Sequence, residues 1–265
     1  MMLRNAGTKW LWDARRSTLV WALAVSFVGG LYAAFWPTMD DPGIQDALAS
    51  YPEGLLDALN YTDISTAAGY LTATVYGLVV SVLLLVYSVS TGSRTIAGDE
   101  EAGTLDLVLA HPVSRVRLAV HRFAAFLASV AIIATVFWLA MVVISKPAHL
   151  DGISVWQFAA MHVQLTLFAS FYGAVAYAVG AATGNRPLSL GVGAAAGVLG
   201  YLANGIIPQV EGLEWVENLS PFHWLVGGDP LRNGIHGGHS LLMTGLVILL
   251  VAVGTWGFNR RDIAV

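Results

Sequence analysis

Six apolar runs, 19–36, 67–91, 118–145, 155–183, 188–207 and 241–258, dominate this 265-residue chain. Each meets the roughly 20 residues that a helix needs to cross a bilayer. A single water-soluble core cannot absorb that much apolar surface. Only 11% of the residues are charged, against about 25% in an ordinary soluble domain. The reading is an all-α polytopic membrane protein of six transmembrane helices, one domain over 1–265.

Charge placement orients it. All but two of the 13 Lys and Arg fall in 1–17, 92–122, 184–187 and 259–265, the exceptions being Lys146 and Arg232. An even number of spans puts these four segments on one side, and the positive-inside rule makes that side the cytoplasm, termini included. In 1–17, Leu3, Trp10, Leu11 and Ala14 share a helical face, which predicts an interfacial helix lying along the membrane. Segment 37–66 is acidic, with Asp40, Asp41, Asp46, Glu53, Asp57 and Asp63 and no Lys or Arg. A solvated outer face explains those carboxylates more simply than a site for a cationic ligand.

Several chemistries are excluded or weakened. With no Cys there is no disulfide, thiolate nucleophile or Cys-ligated metal. No GxxxxGK[ST] phosphate loop or HExxH motif occurs, so the chain carries no ATP-hydrolysing machinery of the usual kind. A net charge of −4 argues against a nucleic-acid partner. The spans are nearly free of ionisable residues, which weakens a proton-coupled carrier. His162 is the main exception and reads as a packing hydrogen bonder. His236 and His239, with His223 and Asp229, could be drawn as an outer metal site. The Gly237-Gly238 spacer favours a turn, and no metal is expected. In the fifth run Gly191, Gly193, Gly197 and Gly200 bare one helix side, in a small-x-x-x-small pattern that lets backbones approach closely. That side serves either packing within the chain or a subunit interface.

The polar stretch 92–122 is the informative one. Asp99, Glu100 and Glu101 precede Thr104, a candidate N-cap, and the acids suit the helix dipole there. Leu105, Leu107, Val108 and Leu109 form a greasy face, ended by His111-Pro112. Ser114 can cap the next helix, whose Arg115, Arg117 and Arg122 suit lipid phosphates. Three consecutive acids would be repelled by an anionic inner leaflet, so something other than lipid is expected to meet them.

These residues carry a resemblance. IAGDEEAGTLDLVLAHPVSRVRLAVHRF, from Ile96, is similar to the first cytoplasmic loop of ABC transporter permeases of the type-2 exporter class. Gly98, Glu100, Glu101, Gly103, Thr104, Leu105, Pro112, Ser114 and Arg115 match its pattern. SPFHWLVGGDPLRNG, from Ser220, resembles the segment before that family's last span, and FNRRDIAV, from Phe258, its terminal Phe-x-x-Arg-Asp. The resemblance implies a multi-pass cell-membrane permease subunit, without enzyme activity of its own, that dimerises and pairs with separate ATPase subunits. ATP and Mg would belong to those partners, and this chain would hold no cofactor. It implies that Gly98 to Arg115 couples the two subunits, with Leu105, Leu107, Val108 and Leu109 buried in the ATPase. Asp99, Glu100 and Glu101 stand in that element, Glu100 and Glu101 pairing with ATPase basic residues. It also implies a dimer seam of the first and fifth spans that would use Gly193, Gly197 and Gly200. Two rivals are a secondary carrier and a non-transporting anchor or sensor for an ATPase. Lipids, hydrophobic drugs and sulfur species fit the apolar spans equally as cargo.

Overall fold

The fourth apolar run folds as one helix, Val155–Thr183, and most of the others pack round it. Ser154 and Gln157 form a reciprocal capping box at its start, and Gly184, left-handed at φ 69°, ends it. It is apolar on all sides, as suits a helix surrounded by neighbours. The computed structural model describes residues 6–51, 64–109 and 113–262, without the side chains of residues 6, 48, 49, 106 and 107. No strand occurs among them.

Six helices are long and apolar enough to cross a membrane: Gly7–Met39, Ala67–Arg94, Arg115–Ser145, Val155–Thr183, Arg186–Gln209 and Gly237–Arg260. We call them spans one to six. Span four packs against spans two, three, five and six, while span one lies chiefly along span three. Polar side chains join the helices within the apolar core. Tyr87 donates to Ser129 at 2.7 Å, Tyr177 and Thr255 share a bond of 2.7 Å, and Ser220 donates to the Gly200 carbonyl at 2.6 Å. Such bonds satisfy groups for which lipid offers no partner.

Span one corrects one expectation. Instead of a separate interfacial helix over 1–17, a single helix runs Ala6–Ala34 and breaks only near Phe35 and Pro37. The Thr18 hydroxyl bonds back to the Ala14 carbonyl at the expected junction, and nothing there interrupts the backbone ladder. The first turns stand against span three: a Cβ on Gly7 would lie 2.5 Å from the His121 carbonyl oxygen. At 29 residues and about 1.5 Å per residue the helix outreaches a hydrocarbon core of about 30 Å.

Span two holds a feature that periodicity does not announce. Leu71–Val79 is π-helical, between α-helical Ala67–Tyr70 and Val80–Arg94. Below it, Gly92 and Gly173 bring spans two and four into backbone contact. The bare side of span five is used in the same way. A Cβ on Gly193 or Gly197 would sit 2.6 Å from Val89 or Leu85 of span two, and one on Gly200 would sit 2.5 Å from the Tyr172 hydroxyl. The glycines assigned to a dimer seam therefore face their own chain. Span five turns Val192, Val198 and Leu199 outward instead.

The two ends of the bundle are distinct. At one, Ser220 caps Pro221–Val226, which buries Phe222 and Leu225 among spans four and five, and Pro230–Asn233 follows. There the Gln157 side chain donates to the Arg232 carbonyl at 2.7 Å. His236 Nδ1 accepts from the His239 N–H at 3.2 Å as the N-cap of the last helix. Among the described residues no group of three or more ligating side chains is placed to hold a metal. The other end gathers the start of span one, the described part of the 92–117 loop, the Gly184 turn and the end of span six.

Candidate functional site

At that second end the chain leaves span two at Arg94 and turns through Thr95, whose hydroxyl donates to the Gly92 carbonyl at 2.6 Å. Ile96 and Ala97 are buried, and Ala97–Glu101 forms a short helix that we term the anchor helix. Its three acids project to three different spans. Asp99 pairs with Arg122 of span three, which also donates to the Thr95 carbonyl at 2.8 Å. Glu100 accepts from both terminal nitrogens of Arg261, at 2.6 Å each, just past the end of span six. Glu101 accepts from Arg186 at the start of span five, at 2.7 Å.

This answers what meets the acids, and it corrects their expected partner: Glu100 and Glu101 are matched by arginines of their own chain. Arg122 is likewise no lipid ligand, being almost fully buried. Arg115 donates to the Arg261 carbonyl at 2.7 Å, which holds the terminal segment from the other side. Arg117 is the exposed one of the three.

The pairs differ in strength by their surroundings. Side-chain exposure is 16% for Glu100 and 18% for Arg261, against 47% for Glu101 and 29% for Arg186. The first is a forked, charge-assisted contact shielded from water, and the last is screened.

After the anchor helix Gly103 takes a left-handed turn at φ 64°, and the Thr104 N–H and hydroxyl both donate to the Asp99 carbonyl, at 2.8 and 3.2 Å. The second short helix follows at Leu105–Leu109. Leu105 is 2% exposed within the chain, so it is a root of the loop and not a free face, which corrects its expected burial in a partner. Val108 and Leu109 are half-buried. The Leu107 side chain and Pro112 lie outside the described residues. Ser114 caps span three by accepting from the Arg117 N–H at 3.3 Å, and Gly98 packs on Arg94.

Beside the anchor helix lies a cavity of about 510 Å³, lined among others by Trp10, Asp13, Tyr87, Arg94 and Glu101. The structure thus brings together Gly98 to Leu105 with Ser114 and Arg115, and adds Arg122, Arg186 and Arg261. The run of three acids amid the arginines of the same side was a signal for such pairing, but not for which pairs.

A sequence-family model described as multidrug efflux system permease Rv1217c, C-terminal domain, matches residues 10–259. The chain belongs to that family. No curated protein matches it. The match runs from the first turns of span one to the last turn of span six, so it covers the bundle and the anchor helix with Arg122 and Arg186, and stops just short of Arg261. The chain is a membrane permease, and its six apolar helices make it a multi-pass membrane protein.

Proposed function

We propose that this permease is the transmembrane subunit of an ATP-driven exporter, and that its ion-paired end faces the cytoplasm and receives a separate ATPase subunit. The observation that carries the reading is the anchor helix, tied by one ion pair each to spans three, five and six. A push on Leu105–Leu109 reaches those spans through short charged contacts. ATP-driven closure can shift the permease between two states only if it contacts them differently. The loop between spans two and three offers such contacts. In this reading hydrolysis, with its ATP and Mg, belongs to the partner, in keeping with a sequence that carries no phosphate loop.

The family's name speaks for hydrophobic drug-like molecules as cargo, moved outward across the cell membrane. Pairing of two copies is carried by the resemblance, and its seam would use the outward side of span five, with Val198 and Leu199, in place of the glycines.

The test is Leu107→Asp in the permease co-expressed with a phosphate-loop ATPase encoded beside it. Substrate-stimulated ATP hydrolysis and transport in proteoliposomes should be lost while membrane insertion stays intact. Full coupling in that variant overturns the docking role. Transport on an ion gradient by the chain alone would make it a secondary carrier.

A further inference from the structure

The cavity of about 510 Å³ beside the anchor helix is walled by span one, span two and the start of span five. The charged side chains that line it are Asp13, Arg94, Asp99, Glu101 and Arg186. Asp99 is taken up by Arg122, and Glu101 and Arg186 by each other. Asp13 and Arg94 are exposed, and neither has a hydrogen bond or ion pair among the described residues. The cavity therefore offers one free carboxylate and one free guanidinium. Its volume falls within the about 300–1,000 Å³ of ordinary ligand sites.

Two opposite charges on one wall match a small body that carries both signs. A guanidinium fork takes phosphate oxygens in two parallel bonds, and a carboxylate accepts from an ammonium. A purely anionic occupant would meet Asp13, Asp99 and Glu101 and be disfavoured by them.

The same helix shows where that body comes from. Trp10, Asp13 and Ser17 line the cavity from one face of span one, and Trp10 supplies an indole, a ring suited to headgroup level. That face continues as Val20, Phe27 and Leu31, which are 65, 71 and 46% exposed. At about 1.5 Å per residue Val20 to Leu31 covers about 17 Å, close to the roughly 15 Å apolar depth of one leaflet. One helix face thus carries charge and then apolar surface, the order of groups along a phospholipid.

We propose that the cavity seats the headgroup of one ethanolamine phospholipid from the bilayer. Its phosphate lies on Arg94, its ammonium on Asp13, and an acyl chain runs along Val20 to Leu31. The site goes beyond the transport reading and does not depend on an ATPase.

The test is native mass spectrometry of the full chain, stripped of lipid in detergent. It is then titrated with palmitoyl-oleoyl phosphatidylethanolamine or with the phosphatidylglycerol of the same chains. One ethanolamine lipid should be retained, and the glycerol lipid should bind about threefold more weakly or worse, for want of one exposed charge pair. Asp13→Arg should invert that order, and Arg94→Gln should weaken both lipids. Both side chains are exposed and unpaired, so the lipid-free melting temperature should stay the same in either variant. A native chain that retains neither lipid would leave the two charges to water. An unchanged lipid order in Asp13→Arg would assign the binding to the apolar face alone. O-phosphoethanolamine that displaces the lipid at equal concentration would make the site one for a soluble zwitterion. Disulfide-linked Val20→Cys dimers that retain no lipid would give the face to a second copy. Any of these four results overturns the proposal.

Discussion

Glu100 and Arg261 stand 161 residues apart and meet fork to fork, both carboxylate oxygens accepting from the guanidinium at 2.6 Å. The contact joins the loop after span two to the chain just beyond span six. Those are two of the three segments by which the chain resembles type-2 exporter permeases. Gly184 makes room for it: a Cβ there would lie 2.5 Å from one Glu100 oxygen. The end of span four is therefore part of the same junction.

Removal of either partner should be costly, because the other charge is left where water reaches it poorly. We expect Glu100→Ala and Arg261→Ala each to lower stability, and the double variant to lose less than their sum. The coupling energy should be about 1–3 kcal/mol. Glu101→Ala, with its exposed partner Arg186, should cost under about 1 kcal/mol. Denaturation of the purified permease in detergent measures all four. A Glu101→Ala loss as large as that of Glu100→Ala would refute the ranking.

Two left-handed glycines separate backbone cost from crowding. Nothing lies within 4 Å of a Cβ built on Gly103 at φ 64°, whereas one on Gly184 at φ 69° meets Glu100 and Arg261. Gly103→Ala should therefore cost only the conformational about 1–2 kcal/mol. Gly184→Ala should cost more, and its excess should vanish in a background that carries both Glu100→Ala and Arg261→Ala. The same denaturation series reads it, and an excess that persists without both side chains would place the clash elsewhere.

Particular residues show what a sequence can carry. Span four was legible to the residue, as 155–183, because Ser154, Gln157 and Gly184 mark its ends through local bonds. Ser114 was legible as a cap for the same reason. The first helix was misread because an amphipathic start and an apolar continuation look like two elements when no cap separates them. The π-helical turn at Leu71–Val79 depends on how span two meets its neighbours, and no local residue spells it. The partners of Asp99, Glu100 and Glu101 lie 23, 161 and 85 residues away, so charge counting offers an expectation for the side of the membrane but none for the pairing. The glycines of span five were recognisable as a close-packing surface, while their target, Val89 and Leu85, depends on how the helices fold together.

That target gives a rescue experiment. A methyl at Gly197 would press on the Leu85 side chain, which can be shortened, whereas one at Gly92 would press on the Gly173 backbone, which cannot. Gly197→Ala should destabilise by about 1–3 kcal/mol, and Leu85→Ala added to it should recover part of the loss. Gly92→Ala should be worse, and truncation of neighbouring side chains should not relieve it. If Gly197→Ala instead leaves monomer stability unchanged and dissociates a dimer, the glycine side belongs to a subunit seam after all.

The chain has no Cys, so single cysteines report its orientation without background. Ala102 and Glu211 are both exposed, the first at the ion-paired end and the second in the segment that joins spans five and six at the opposite end. From the excess of Lys and Arg we expect the ion-paired end to lie inside, since basic loops translocate poorly. In intact cells an impermeant maleimide should label Glu211→Cys and leave Ala102→Cys unreacted until the membrane is permeabilised. The inverse pattern would turn the anchor helix away from cytoplasmic ATP. No soluble ATPase could then reach Leu105–Leu109, and the coupling role would fall with the topology that requires it.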